Sequence, residues 1–288
     1  MFSGIVGSMR NFIWLCVLAT ACGSDPNHPV DAAIDSKPVD AKIPVCGDGI
    51  VDVGEQCDDH NTTPNDGCTQ CMFEPGVLQA NWSIKTTAGA TVACPATFDT
   101  AAVYSQPVDA QGNAVGSPII DLFNCVDGTG TTATLPGGPT AVHIEITNTN
   151  NTLQYASSVT AKVSISSILA HYTASILTDG GYFQFAWNLV KASNAAPLTC
   201  ADVAGINGIE SVATDVSNAS NSASDVFTCA DGTGITAGFL AATYTVSIDA
   251  LNTANQAIGT APTLTNKVIL APNKVTDLGT VTIPITAL

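Results

Sequence analysis

The sequence is poor in positive charge, in charged residues generally and in aromatic side chains. Only 11% of its 288 residues are charged and 6% are aromatic. Eight Lys and Arg stand against 24 Asp and Glu, which gives a formal net charge of −16, and Arg10 is the only arginine. Because nucleic acids and anionic lipid head groups attract cationic surfaces, this balance argues against both as partners. We expect no nucleic-acid partner.

The sequence also lacks the motifs of the common catalytic sites. It has no His-Glu-x-x-His pair of zinc ligands, no Gly-x-Ser-x-Gly nucleophile elbow and no glycine-rich phosphate loop. The histidines His28, His60, His143 and His171 are far apart in sequence, and the carboxylates are spread over predicted turns. We therefore expect a protein that is not an enzyme.

What the sequence has instead is a composition typical of antiparallel sheets, since Gly, Ala, Thr, Ser, Val and Asn dominate. It also has 10 cysteines. Setting aside Cys16 and Cys22 leaves an even number, which suits four disulfides in an oxidising compartment. The predicted disulfide cysteines are Cys46, Cys57, Cys68, Cys71, Cys94, Cys125, Cys200 and Cys229.

The first residues are typical of a bacterial export signal. Arg10 precedes the apolar run Phe12–Ala19, which is too short to span a bilayer comfortably as a helix. The small residues before Cys22 resemble a lipobox, a resemblance that implies lipidation of Cys22 and membrane attachment through that lipid. Gly23 after the cysteine implies the outer membrane. The alternative is an ordinary signal peptide with a chance cysteine.

Residues 22–45 have the composition of an extended spacer. They are rich in Pro, Asp and Ala and have too few large apolar side chains to bury a core. We expect residues 1–21 to be a lipoprotein signal peptide and residues 22–45 to be a disordered spacer that begins at the lipidated cysteine. Translation from Met1 or from Met9 fits this interpretation.

Residues 46–75 form a short cysteine-rich segment. Cys46, Cys57, Cys68 and Cys71 fall within it, together with seven carboxylates and no Lys or Arg. Because the segment has few apolar side chains to bury, cross-links must hold it together. Four cysteines allow three disulfide connectivities. A zinc site at Cys68-x-x-Cys71 is the competing hypothesis, although a second such pair is missing.

Oxygen-bearing side chains in the same segment raise the question of calcium. Asp and Asn on disulfide-closed loops are the hard ligands that Ca²⁺ prefers. The same residues also cap tight turns through the backbone without any metal, and this second interpretation is the favoured one. No other cofactor is expected. The candidate calcium ligands are Asp48, Asp58, Asp59, Asn61 and Asp66.

The order of glycines, acids and cysteines in this segment carries a family resemblance. Cys46-Gly-Asp-Gly49, Gly54-Glu-Gln-Cys57 and Asp66-Gly-Cys68 resemble the disulfide repeat of myxobacterial surface proteins, which is distantly similar to the Notch-type repeat. The resemblance implies a bacterial surface protein. His60 stands where the family has glycine, which implies a turn with positive φ there. The Cys68–Cys71 spacing is one residue shorter than in the family.

After this segment the chain repeats itself. Matching landmarks recur at offsets of 104 to 106 residues, which indicates a duplication. We expect the first copy over residues 76–181 and the second over residues 182–288, with no flexible linker between them. The paired landmarks are Trp82 and Trp187, Cys94 and Cys200, Cys125 and Cys229, and the Asp-Gly-Thr-Gly turns that begin at Asp127 and Asp231.

Both copies have the pattern of half-buried strands. Apolar residues at 142, 144 and 146 alternate with polar residues at 143, 145 and 147, and residues 246–250 do likewise. Cys94 with Cys125, and Cys200 with Cys229, would close loops of similar length, and we expect Trp82 to pack near its bridge in the core. We expect the same of Trp187; exposed tryptophans that stack on sugars are the alternative.

The predicted fold class is mainly β. A small disulfide-rich module precedes two tandem β-sandwich domains, immunoglobulin-like or transthyretin-like, with a loose resemblance to carboxypeptidase-regulatory modules. Together with the export features, this predicts a lipid-anchored protein of the outer membrane or cell surface that binds, adheres or serves structural display. Its ligand would be an unknown surface protein or glycan. The alternative is a non-catalytic accessory component of an exported protease or glycan-degrading system, with carbohydrate binding.

Overall fold

β-Strands make up most of the described part of the molecule. The computed structural model describes residues 44–286, so the predicted signal peptide, Cys22 and nearly all of the predicted spacer lie outside the described residues. The described residues belong to one compact unit. Among them, no helix is both long and apolar enough to cross a membrane. The mainly β prediction is confirmed.

The cysteine-rich module comes first and contains one small hairpin. Strand β1 (Cys68–Thr69) pairs antiparallel with β2 (Met72–Phe73). Two nested disulfides, Cys46–Cys71 and Cys57–Cys68, hold the loops to this hairpin. Cys57, Cys68 and Cys71 are buried. Their sulfurs therefore form the centre of a module that has few apolar side chains.

The first sandwich copy contains eight strands in two sheets. One sheet has the order β10-β3-β6, and the other has the order β5-β4-β7-β8 with β9 also paired to β7. A short 3-10 turn, Cys125–Asp127, connects β5 in one sheet to β6 in the other. The strands are β3 (Leu78–Lys85), β4 (Thr100–Pro107), β5 (Ile119–Asn124), β6 (Thr129–Thr131), β7 (Gly138–Thr147), β8 (Gln154–Ser157), β9 (Ala161–Ile165) and β10 (Ala170–Leu177).

The second copy has the same topology with two additional short strands. β20 and β11 form one layer with β12, β15 and β16, whereas β14, β13 and β17 form the other with β18 and β19. The layers join at the single pair Gly259–Ile285. The strands are β11 (Gly180–Lys191), β12 (Pro197–Leu198), β13 (Ile206–Asp215), β14 (Ser222–Phe227), β15 (Thr233–Ile235), β16 (Phe239–Leu240), β17 (Thr243–Asn252), β18 (Ala257–Thr260), β19 (Leu264–Val268) and β20 (Lys274–Ile285).

In each copy the first and last strands are parallel neighbours. β3 pairs with β10, and β11 pairs with β20. Only Thr178 and Asp179 separate β10 from β11. The last strand of copy 1 therefore leads directly into the first strand of copy 2. The sequence predicts no flexible linker at this place.

Each copy has its own hydrophobic core, and the predicted alternation accounts for most of it. Val142, Ile144 and Ile146 are fully buried between the sheets of copy 1. Thr147, predicted to face water, is buried as well, which corrects the alternation at this point. The register of the β7–β8 pair shifts between Ile146 and Thr147, and such a bulge turns the next side chain inward.

Candidate functional site

The two tryptophans are structural anchors of the disulfides. The Trp82 indole Nε1 donates to the Cys125 carbonyl at 2.8 Å, and the Trp187 Nε1 donates to the Cys229 carbonyl at 3.1 Å. Each indole is only 6% exposed. The prediction that the tryptophans pack near the bridges is confirmed. The alternative of exposed sugar-stacking tryptophans is wrong, because neither ring presents a face to solvent.

The Asp-Gly-Thr-Gly turn positions each tryptophan. In copy 1 the 3-10 turn ends at Gly128, whose φ of 64° is unstrained only for glycine, and the Gly128 carbonyl accepts from the Trp82 backbone amide at 2.9 Å. In copy 2 the Gly232 carbonyl accepts from the Trp187 amide at 3.1 Å in the same way. The duplicated turn therefore holds the first strand of each copy against its disulfide.

The disulfides of the sandwiches are those that the repeat predicts. Cys94 bonds to Cys125 and Cys200 bonds to Cys229. With the two bonds of the cysteine-rich module, all eight predicted cysteines are paired. Cys68 and Cys71 belong to different disulfides, so the competing zinc hypothesis is wrong.

Asp58 organises the first loop of the cysteine-rich module. Its two carboxylate oxygens accept backbone amides from Gly47 at 2.8 Å, Asp48 at 3.1 Å, Gly49 at 2.8 Å and His60 at 2.9 Å. The His60 amide, followed by those of the glycines and Asp48, lowers the pKa of Asp58 below its usual value. His60 has a φ of 68°, so the turn that the family builds with glycine is present here with histidine.

Glu74 organises the second loop and was not singled out from the sequence. Its carboxylate accepts the amides of Asn65 at 2.6 Å and Gly67 at 3.1 Å and the hydroxyl of Thr69. The neighbouring Ser167 hydroxyl, then Thr69 and these amides, lower the pKa of Glu74 from 4.5 to about 2. Ser167 belongs to copy 1 and lies close to the Glu74 carboxylate, but its Oγ atom makes no hydrogen bond within residues 44–286.

Backbone contacts join the module to copy 1. Gly76, the first residue after the module, is fixed to Leu135 of copy 1 by two backbone hydrogen bonds of 3.1 and 2.8 Å, which places the end of the module beside the sandwich. A Cβ atom at Gly137 would lie 2.3 Å from the Glu74 carbonyl oxygen, so only glycine fits at that approach. The module is therefore held to the sandwich on more than one side.

The predicted calcium ligands have identifiable partners within the turns. Asp48 Oδ1 accepts from the Ile50 amide at 2.9 Å, and Asn61 Oδ1 accepts from the Thr63 amide at 2.6 Å. One carboxylate oxygen each of Asp59 and Asp66 is buried without a hydrogen-bond partner among the described residues. These contacts are those of turn-capping side chains, and calcium binding by the predicted set stays a prediction.

One compact group of acidic and cysteine side chains exists in the described part of the chain, and it differs from that set. Ligand atoms of Glu55, Asp58 and Cys71 lie within 4.8 Å of one another. The Cys71 sulfur is already bonded to Cys46. The group therefore offers a metal two carboxylates, one of which is occupied by four backbone amides.

A buried asparagine joins the two copies. Asn273, only 3% exposed, accepts the Leu177 amide on its Oδ1 at 2.5 Å and donates from its Nδ2 to the Ser157 carbonyl at 2.7 Å. Nearby, the Asp179 carboxylate accepts the Thr87 amide at 2.8 Å. Asn273 lies in copy 2 and both its partners lie in copy 1, so this amide fixes the junction.

Comparison with known proteins adds a family for the cysteine-rich module. Residues 41–72 match a family model described as a domain of unknown function, DUF4215, so a recognised cysteine-rich domain lies where the sequence predicts one. The match covers much less than half of the chain. No curated protein matches the chain.

Solved structures match the chain only at low similarity. A leucine-rich repeat protein from Bacteroides thetaiotaomicron is 12% identical with a TM-score of 0.34; the match covers 74% of this chain and 26% of that one. The shaft pilin spaA from Lactobacillus rhamnosus is 9% identical with a TM-score of 0.22, over 74% and 99% of the two chains. The fimbrial anchor protein Mfa2 from Porphyromonas gingivalis is 12% identical with a TM-score of 0.24, over 67% and 83%. These values are too low to indicate a function.

Proposed function

We propose that this protein is a bacterial, lipid-anchored display protein of the outer membrane or cell surface, without catalytic activity of its own. Cys22 carries the lipid, the following residues act as a spacer, and the cysteine-rich module and two sandwiches form a stiff payload. The payload binds a surface protein or glycan or holds a structural position. The resemblance of residues 46–71 to myxobacterial repeats suggests a myxobacterial source.

The main support for export is the complete pairing of the described cysteines. Four disulfides occur among residues 44–286, and such bonds persist in oxidising compartments. The lipobox-like residues before Cys22 support attachment by lipid rather than free secretion. The support for a stiff payload comes from Asn273, which joins the two copies through hydrogen bonds, and from the close approach of Gly137 to the Glu74 backbone.

The tether is tested by the variant Cys22→Ala. We expect the wild-type chain to sediment with membranes and to incorporate an alkyne analogue of palmitate, and we expect Cys22→Ala to lose both properties. Cys16→Ala, which changes a cysteine within the apolar run, is the matched control and should behave as wild type. Membrane retention and labelling of Cys22→Ala would contradict the tether.

A second candidate function is a non-catalytic, carbohydrate-binding role beside an exported protease or glycan-degrading enzyme. A recess of about 730 Å³ in copy 2 gives it a physical location, with Leu189, Pro197, Leu198 and Thr199 among its lining residues. Because Trp187 is buried, recognition there would not use an exposed indole. Binding on a glycan array that is lost in Thr199→Trp, a variant that fills the recess, would support this role.

A further inference from the structure

Strand β5 is the last strand of its sheet in copy 1. Within residues 44–286 it pairs with β4 on one side only. The Cys125 amide donates to the Asp99 carbonyl at 2.7 Å. Because hydrogen-bonded and non-hydrogen-bonded residue pairs alternate along an antiparallel ladder, this bond shows which residues of β5 are bonded to β4. Ile119, Asp121 and Phe123 therefore bond toward β4, while the N–H and C=O groups of Ile120 and Leu122 point away from the sheet. This edge can accept an additional strand.

The side chains at the same two positions are apolar and exposed. Ile120 is 43% exposed and Leu122 is 52% exposed on the outer face of the sheet. An added strand would cover this face with alternate side chains of its own. Natural proteins usually protect such an edge with charged residues or with very short strands. β5 has six residues, and its one charged residue, Asp121, accepts the Ala133 amide instead of lying on the exposed face with Ile120 and Leu122.

The equivalent edge of copy 2 is less apolar. Strand β14 occupies the equivalent place, and the registers align Ile120 with Ser224 and Leu122 with Val226. The alignment is supported by Asp121, which accepts the Ala133 amide at 3.1 Å just as Asp225 accepts the Ala237 amide at 3.1 Å. Val226 is itself 56% exposed, so copy 2 keeps one of the two apolar side chains, and only Ile120 is shown to be dispensable for the fold.

Carboxylates surround the end of β5. A recess of about 290 Å³ beside Leu122 is lined by Asp127 and Thr149, and the Thr149 hydroxyl lies 2.9 and 3.0 Å from the two carboxylate oxygens of Asp99. No Lys or Arg occurs between Lys85 and Lys162. In copy 2 Gly208 aligns with Thr100, and the residue before it, at a bulge in the β13–β17 pair, is the uncharged Asn207 where copy 1 has Asp99.

This charge distribution decides between possible partners. A second copy of the chain would bring another formal charge of −16 to the edge, which disfavours association. A partner strand with apolar residues on one face and Lys or Arg at its end would complement three features of this edge. It would cover the exposed apolar side chains, pair with the free backbone groups of β5 and bring its positive charge to the carboxylates at the recess.

We propose that the edge of β5 binds an extended, basic segment of a partner protein by strand addition. The segment pairs with the backbone of Ile120 and Leu122 and places a basic side chain in the recess beside Asp127 and Asp99. This inference deepens the binding role proposed above by giving the class of partner. Strand addition at β5 requires no lipid on Cys22, so an experiment can contradict the lipid tether without contradicting this binding site, and the reverse.

The probe is a short capped peptide with valine at alternate positions and lysine at its ends, titrated into the purified full chain. We expect binding that slows hydrogen exchange of the Ile120 and Leu122 amides. A twin peptide with glutamate in place of lysine should bind at least about tenfold more weakly. A basic peptide N-methylated at the groups facing β5 should also lose about tenfold in affinity, because it cannot form the ladder.

Two variants that copy the second sandwich test the location. Ile120→Ser and Asp99→Asn introduce the residues found at Ser224 and Asn207 and should each weaken binding at least about threefold without changing the unfolding transition. The reverse graft, Ser224→Ile with Asn207→Asp, should create a second site. Equal binding of both peptides, protection at β14 of the wild-type chain, or protection of β5 by self-association without peptide would each overturn the proposal.

Discussion

The side-chain carbonyl of Asn273 accepts the backbone amide of Leu177 at 2.5 Å, although the two residues are 96 positions apart and belong to different sandwiches. Leu177 ends the last strand of copy 1, and Asn273 immediately precedes the last strand of copy 2. The same side chain reaches the Ser157 carbonyl. The two copies are therefore joined by one buried side-chain amide as well as by the short connection through Thr178 and Asp179.

Removing this amide should loosen the junction. Asn273→Gly keeps the positive φ of 51° available but leaves two buried backbone groups of copy 1 without a partner, at a cost of about 2–4 kcal/mol. Asn266→Gly is the matched control, because Asn266 is exposed and also has a positive φ of 55°. We expect thermal unfolding of Asn273→Gly to split into two transitions, whereas the control keeps one. A single unchanged transition for Asn273→Gly would contradict the role of this residue.

The indole hydrogen bonds should contribute measurably to each sandwich. Trp187→Phe removes the donor to the Cys229 carbonyl and should lower the free energy of unfolding of copy 2 by about 1–2 kcal/mol in urea titrations. The change is made in the Asn273→Gly background, in which the two copies are expected to unfold separately; Trp82 then reports on copy 1, whose midpoint should not shift. In the same background, Trp82→Phe should lower the midpoint of copy 1 and leave that of copy 2 unchanged. If either substitution shifted the midpoints of both copies by the same amount, the two cores would not be separate.

The two long disulfides should be equivalent in their effect. They span 31 and 29 residues, and on the chain-entropy model a loop of this length stabilises the folded state by about 3–4 kcal/mol. Double replacement of Cys200 and Cys229 by alanine should destabilise copy 2 by this amount in urea. Replacement of Cys94 and Cys125 should do the same to copy 1. Loss below about 1 kcal/mol in both would argue against the bridges as main stabilisers.

The second loop of the cysteine-rich module, which Glu74 holds, should loosen in acid. The pKa of Glu74 is lowered from 4.5 to about 2, so its contribution is fully present above the unfolded value and is lost as the pH falls through that range. Hydrogen exchange at Asn65 and Gly67 should therefore accelerate beyond its intrinsic pH dependence between pH 4.5 and about 2. Glu74→Gln should remove this acid dependence, whereas Glu210→Gln, on β13, should not.

The features predicted from the sequence are those carried by short-range or repeated patterns. The offsets between Trp82 and Trp187 and between the paired cysteines indicate two copies, and the positions of Trp82 and Cys125 within one copy predict the buried Trp–disulfide unit. The alternation of apolar and polar residues predicts the buried face of β7, except at Thr147, where a bulge turns the side chain inward.

The rest depends on contacts that the sequence does not encode locally. Glu74 is held by backbone amides, which every residue but proline has, so no residue pattern marks its role. Asn273 contacts residues 96 and 116 positions away, and the repeat gives no hint because copy 1 has Leu169 at the offset of 104. The unprotected edge at β5 follows from strand order, which is known only once the sheet is formed.

Display of the sandwiches outside the cell can be tested directly. Intact cells that produce the chain are treated with an amine-reactive biotin reagent that does not cross membranes, and biotin is then located on Lys162, Lys191, Lys267 and Lys274 by mass spectrometry. We predict that these lysines are labelled in intact cells to the same extent as in cells with a permeabilised outer membrane. Labelling that appears only after permeabilisation would contradict surface display.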